Sequence, residues 1–164
     1  FLDVAETVAG GFIDQSPTDG IPYWDTGAPG LTKLKKYLDS PADPYNSEEP
    51  VDSSAAAITA QGLIRLGHFL KSSGQKEKGK RFFQAGLTIA DRLFEEPYLS
   101  TNVDHQGLIL HSCYHHPNGW DYIPAGKEIP CGESTMWGDY HAMELGIILL
   151  KMLNQEPYYK FYLT

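Results

Sequence analysis

The sequence has 164 residues, a formal net charge of −8 and 41% hydrophobic residues, which fits one domain able to bury a sizeable core. The acidic balance and the scattered basic residues argue against binding nucleic acid or an anionic membrane. Without a bilayer-spanning apolar run or a leader-like start, and with two cysteines, the chain is expected in a reducing compartment, the cytoplasm.

The first predicted element is a helix. Apolar residues recur at helical spacing from Phe1 and stop near Ile13, before the turn-forming Ser16-Pro17. No capping residue precedes Phe1, so the chain is expected to begin inside a helix, as part of a longer protein would. Residues 26–50 read as a long loop with a short basic amphipathic piece at 31–38.

A second helix is predicted to open at Asp52-Ser53-Ser54, whose side chains can accept from free N–H groups. It is apolar on most faces, and small residues that include Gly62 would let neighbouring helices approach. Residues 75–94 are predicted to form a helix with one apolar stripe and one solvent-exposed polar face, which is typical of an outer helix. An inner helix followed by an outer one is the unit of a ring of stacked helical hairpins.

Residues 107–122 favour a short hairpin around Pro117-Asn118-Gly119. The last predicted helix follows residues 133–135, whose side chains can accept hydrogen bonds from the N–H groups of a helix start. It is apolar on nearly every side, so we expect it to be buried on all sides. Its first turns nevertheless carry polar residues such as Asp139, which indicate either a wet cavity or a structural network. The resulting fold class is all-α, with about half of a closed ring in this chain.

Several kinds of chemistry fit the polar residues. A zinc site or a Cys–His nucleophile would draw on the histidine and cysteine cluster, although no standard zinc spacing is present. That cluster comprises His105, His111, Cys113, His115, His116 and Cys131. An acid–base carboxylate pair is the other alternative. Its candidates are Asp25, Asp52, Asp104, Glu133, Asp139 and Glu144, of which Asp52 also suits a helix cap. Trp24 and Tyr45 either rim a binding site or pack within the loop.

Three motifs occur in order: Asp19-Gly20-Ile21-Pro22-Tyr23-Trp24-Asp25, then Asp52-Ser53-Ser54-Ala55-Ala56-Ala57-Ile58-Thr59-Ala60, then Met136-Trp137-Gly138-Asp139-Tyr140. Together they resemble the C-terminal half of the unsaturated glucuronyl hydrolases, glycoside hydrolase family 88. The unsaturated rhamnogalacturonyl hydrolases of family 105 are similar at a greater distance. The resemblance implies a six-hairpin (α/α)6 barrel, with residues 1–164 as the C-terminal portion of that single domain.

The family's activity implies a glycosidase that uses neither cofactor nor metal. Its substrates are unsaturated uronyl oligosaccharides released by polysaccharide lyases, and it hydrates their C4=C5 double bond. The family's catalytic Asp pair lies in the N-terminal half, so no catalytic residue is expected here. The chain would supply cavity wall and a specificity loop, with the missing N-terminal half as its partner, and would be inactive alone.

The match implies that Tyr114 lies near the sugar and Trp137 beside it, and that the loop bearing His115, Asn118 and Trp120 meets the next sugar. These three stand where members preferring sulfated substrates have a Ser…Ser…Lys pattern, which argues against a sulfated substrate. Read from the residues themselves, Asp139 is the best polar site candidate. A non-catalytic carbohydrate-binding or assembly module of the same fold is the alternative, and a homo-oligomer stays open.

Overall fold

The computed structural model describes residues 1–157, and their regular structure is helical. The four α-helices are α1 (Leu2–Gln15), α2 (Ser53–Ser72), α3 (Lys76–Leu93) and α4 (Met136–Leu153). Within the described residues, extended pairing is limited to two isolated bridges, Tyr23 with Val51 and Leu99 with Ile109. The all-α prediction is therefore confirmed. The Tyr-rich tail, which the sequence places on the outside, lies outside the described residues from position 158 onward.

The helical hairpin of α2 and α3 is the centre of the fold. Asp52 caps α2 as predicted, because its carboxylate accepts from the Ser54 N–H at 3.0 Å. The two helices cross closely at glycines: a Cβ on Gly67 would lie 2.7 Å from the Gly79 carbonyl oxygen. Gly62, which the sequence suggested for this purpose, has open space around its missing Cβ.

Helix α3 has the predicted outer character, with one buried face and one wet face. Phe82, Ile89 and Leu93 are buried, while the opposite side carries charged residues. Helix α1 contributes no fully buried residue. It is tied to α3 by two ion pairs, Lys78 with Glu6 at 2.6 Å and Arg81 with Asp14 at 2.9 Å.

Helix α4 packs mainly against α2 and leaves much of its apolar surface bare. Ala142, Leu145 and Ile148 are buried, whereas Met143 and Leu150 are each 57% exposed. The prediction that α4 is buried all round is therefore wrong for the described residues. A helix can bury its whole circumference only when neighbours pack on several sides, and here one helix supplies most of the packing.

The connections differ from the predicted ones in two places. In place of one amphipathic piece at residues 31–38, the structure has two short 3-10 helices, Pro29–Lys33 and Tyr37–Asp39. The hairpin predicted around residues 117–119 is wrong. Residues 108–110 pair instead with the preceding segment, where the Leu110 N–H donates to the Tyr98 carbonyl at 2.7 Å. The turn itself is the 3-10 helix His116–Asn118, closed by Gly119 at a φ of +64°. None of the helices in the described part of the chain is long and apolar enough to cross a membrane.

Candidate functional site

An open cleft of about 480 Å³ lies at the N-terminal end of α4. One wall comes from the first residues of α4 and the segment before it, and the other from the loop at 114–122. The lining residues are Tyr114, Trp120, Asp121, Tyr122, Glu133, Ser134, Thr135, Met136 and Trp137. Thr135 fixes where α4 begins, since its hydroxyl accepts from the Gly138 N–H at 3.1 Å.

Aromatic rings dominate this cleft. The ring centroid of Tyr114 lies 5.1 Å from that of Trp137 and 6.0 Å from that of Trp120. Trp120 is 62% exposed and Tyr114 is 53% exposed, so their faces are open to solvent. Contiguous exposed aromatic surface is typical of a binding site for a ligand that has both apolar faces and polar edges, as sugar rings do.

Asp121 fixes the conformation of the aromatic loop, residues 114–122. Its two carboxylate oxygens accept from the backbone N–H groups of Tyr114 and His115, the latter at 2.8 Å. Charge-assisted bonds of this kind are stronger than neutral ones and fix the loop that carries Tyr114. Asp121 is not among the residues predicted from the sequence, although an Asp close after a Pro-Asn-Gly turn is a natural acceptor for loop N–H groups.

The other predicted loop residues lie near the cleft without lining it. The His115 ring packs against Trp120 with centroids 5.0 Å apart. Asn118 is exposed within the 3-10 turn, where its N–H donates to the His115 carbonyl at 3.1 Å. The structure thus brings Tyr114, Trp120 and Trp137 together at one cleft, and their roles toward a ligand stay predictions.

Asp139 has a structural position. Its two oxygens accept from the backbone N–H groups of Leu108, at 2.9 Å, and Ile109, at 3.0 Å. The side chain therefore ties the 107–111 segment to α4, and it is not among the residues that line the cleft. Of the two interpretations that the sequence left open for this residue, the contacts favour the structural network.

We expect Asp139→Ala to lower the free energy of unfolding by about 2 kcal/mol, because two part-buried N–H groups lose an ionised acceptor. Asp139→Asn should lose less, since an amide oxygen can still accept one of these bonds. Urea denaturation measures both variants, with Asp91→Ala on the exposed face of α3 as the control. A variant of unchanged stability that binds oligosaccharide more weakly would instead indicate a site role for Asp139.

Trp24 and Tyr45 are packed loop aromatics. The indole N–H of Trp24 donates to the Glu49 carboxylate at 2.7 Å, and its ring lies 5.0 Å from that of His116. The Tyr45 ring contacts His111 edge to face, also at 5.0 Å. Trp24 thus contacts the aromatic loop at His116. Neither Trp24 nor Tyr45 is among the residues that line the cleft.

The histidine and cysteine cluster is divided among separate contacts. Within residues 1–157, no three His, Cys, Asp or Glu side chains form a group able to hold a metal ion. Burial raises the pKa of Cys113 to about 12 and also raises that of Cys131. Both thiols are therefore protonated at neutral pH, which is the wrong state for the nucleophile hypothesis.

The carboxylates proposed from sequence also have separate partners. Asp25 accepts from the Gly27 N–H at 2.6 Å, and Glu144 lies within ion-pair distance of Arg65 and His141. Glu133 lines the cleft, where it precedes the helix cap and does not occupy the first turn of α4. A second cavity, of about 310 Å³ between α1 and α3, has no ionisable residue in its lining and offers no acid–base chemistry.

Comparison with known proteins gives one consistent group of relatives. The chain is 29% identical over 143 residues to an unsaturated glucuronyl hydrolase of Bacillus sp. strain GL1, and 28% identical over 128 residues to one of Formosa agariphila. The crystal structure of the Bacillus enzyme, described as responsible for the degradation of glycosaminoglycan, matches 92% of this chain with a TM-score of 0.65. No family model matches the sequence.

A heparin-specific unsaturated glucuronyl hydrolase matches 94% of the chain at 20% identity and a TM-score of 0.67, which supports the fold. The chain spans about a third of the length of these solved structures, 32% and 34%, whereas about half of a ring was expected. The resemblance stated from the three motifs is therefore confirmed, with a smaller share of the ring than expected.

Proposed function

We propose that this chain forms part of a glycoside hydrolase that acts on unsaturated uronyl oligosaccharides of the kind released by polysaccharide lyases. The single observation that carries the proposal is the match to the Bacillus hydrolase, at 29% identity over 92% of the chain with a TM-score of 0.65. The aromatic cleft at the start of α4 supports it, because it offers the kind of surface on which sugar rings pack.

In this proposal the chain supplies cavity wall and specificity loop. Tyr114 and Trp137 lie nearest the unsaturated sugar, and the loop from His115 to Trp120 meets the following sugar. The reaction is hydration of the C4=C5 double bond, in which an acid protonates C4 and water adds at C5. The resulting hemiketal opens and releases the second sugar. The acid and base are proposed to lie outside this chain.

The absence of cations from the lining of the cleft is relevant to the second sugar. Asp121 and Glu133 are the ionisable acids that line the described cleft, and no Lys or Arg does so. A sulfate group would face negative charge there, so the proposed substrate is an unsulfated oligosaccharide.

The test is binding and turnover of an unsulfated lyase-generated unsaturated disaccharide, with turnover followed as loss of the double-bond absorbance. We expect the 164-residue chain to bind the disaccharide without hydrolysing it. A protein extended upstream of Phe1 should hydrolyse it. Turnover by the 164-residue chain alone would contradict the proposed location of the acid and base. Binding without turnover by the extended protein would favour the non-catalytic module.

A further inference from the structure

We infer that Asp52 and Ser54, at the start of α2, are positioning residues for two aromatic rings of the cleft, Trp137 on the α4 wall and Tyr114 on the loop wall. Neither residue lines the cleft, yet each connects through hydrogen bonds to one that does. This inference rests on the proposed function, since it assigns those rings to oligosaccharide binding.

The first connection runs from Trp137 to Asp52 through a hydroxyl group. The indole N–H of Trp137 donates to the Ser54 hydroxyl oxygen at 3.2 Å. The same hydroxyl donates to the Asp52 carboxylate at 2.6 Å. The carboxylate thus orients the hydroxyl proton toward itself and leaves a lone pair directed at the indole. Hydrogen bonds in such chains polarise one another, so the indole is held in one orientation.

The second connection runs from the same carboxylate oxygen to the aromatic loop. Oδ1 of Asp52 accepts from the backbone N–H of Cys113 at 3.3 Å, immediately before Tyr114. One acidic side chain therefore holds both Trp137, through Ser54, and the backbone that carries Tyr114. The two rings lie 5.1 Å apart, which makes their mutual geometry sensitive to this oxygen.

The packing around Ser54 is what brings α2 and α4 close enough for these contacts. Ser54 is 2% exposed. A Cβ on Gly138, the residue after Trp137, would lie 3.2 Å from the Ser54 Cβ and 2.8 Å from the Ser112 hydroxyl oxygen. Only a glycine lets the first turn of α4 approach this closely, which places the Trp137 indole within reach of Ser54.

Ser53 provides a matched control. It is also buried and also carries a hydrogen-bonded hydroxyl, which contacts the Ser112 hydroxyl at 3.0 Å, and no contact joins its side chain to Trp137. Ser53→Ala and Ser54→Ala therefore delete the same atom from adjacent buried positions. Only the second deletion removes the acceptor of the indole N–H.

The experiment measures the dissociation constant for an unsulfated lyase-generated unsaturated glucuronyl disaccharide, and the indole ¹H–¹⁵N resonance of Trp137, identified by its loss in Trp137→Phe. We expect Ser54→Ala to shift that resonance and to weaken binding about tenfold. Ser53→Ala should leave both unchanged. If Ser54→Ala fails to fold, Ser54→Cys keeps its volume and replaces the oxygen with a poor acceptor.

The two hypotheses fail differently. If the disaccharide does not bind even the unsubstituted chain, the assignment of this cleft to oligosaccharide binding by the chain alone is contradicted. The indole resonance then still tests the positioning role, and turnover by the extended protein still tests the proposed reaction. An unshifted Trp137 resonance in Ser54→Ala would overturn that role, as would equal affinities of Ser54→Ala and the unsubstituted chain. Equal losses in Ser53→Ala and Ser54→Ala would also overturn it, because they would indicate a general effect of the buried α2 start.

Discussion

Gly67→Ala is expected to destabilise the protein by about 3 kcal/mol, although alanine is normally the better helix residue. A Cβ at this position would lie 2.7 Å from the Gly79 carbonyl oxygen and 2.7 Å from both the backbone nitrogen and the Cβ of Phe83. Two of these atoms belong to the α3 backbone, so no side-chain rotation relieves the contact. The two helices would have to separate, which costs packing along the hairpin.

The matched control is Gly62→Ala, at a position earlier on the same helix. A Cβ there meets no atom within 4 Å. The substitution should therefore stabilise α2 by about 0.5–1 kcal/mol through helix propensity alone. Urea denaturation of both variants gives the comparison. Equal effects of the two substitutions would show that the α2–α3 crossing does not depend on the missing side chain of Gly67.

The second large effect concerns His111, which is buried and lies where three segments meet. Its Nδ1 accepts from the Gly132 N–H at 3.0 Å, and its carbonyl accepts from the Ser53 N–H at 3.1 Å. The rings of Tyr45 and Tyr98 pack edge to face on the imidazole. Burial among these groups lowers the pKa of His111 to about 4, against an opposing contribution from the Pro97 backbone and Asp43.

The depressed pKa makes stability depend on pH in a defined window. The unfolded chain binds a proton at His111 near pH 6.5, whereas the folded chain does not bind it until about pH 4. Between these values the unfolded state holds more protons, so stability rises with pH. We expect about 3 kcal/mol of stability to be present above pH 6.5 and lost as the pH falls toward 4.

His111→Asn isolates the contribution of this imidazole from those of other groups. Asparagine tolerates the φ of +66° at this position and does not titrate. Urea denaturation of both proteins at pH 7 and pH 4.5 should show a steeper loss in the unsubstituted chain. Parallel pH profiles would contradict a neutral, buried His111.

Local signals in the sequence were sufficient to predict the helices. The Asp52 cap, the alternation of an inner and an outer helix, and the capping acceptor at Thr135 all act within a few residues, so spacing alone determines them. The same holds for the exposed face of α3. Three short motifs were also specific enough to indicate the family that the comparisons found.

The sequence did not predict the details that depend on distant segments. Asp139 looks like a site residue in isolation, and only the fold reveals that it accepts from Leu108 and Ile109, about thirty residues earlier. Asp121 looks unremarkable, and only the loop geometry gives it the Tyr114 N–H as a partner. An aspartate is the same side chain whether it binds a ligand or accepts from the backbone. Which of the two it does depends on the backbone groups that folding brings near it.

The sequence by itself therefore determined where the helices lie and which of them are mostly apolar. Only the tertiary structure decided that α2 and α3 cross at Gly67 and Gly79, that α4 keeps a bare apolar face, and that one carboxylate serves both walls of the cleft. The physical reason is the separation along the chain over which each kind of interaction acts. Helix formation depends on neighbours within about one turn, whereas burial and hydrogen-bond pairing depend on which surfaces meet.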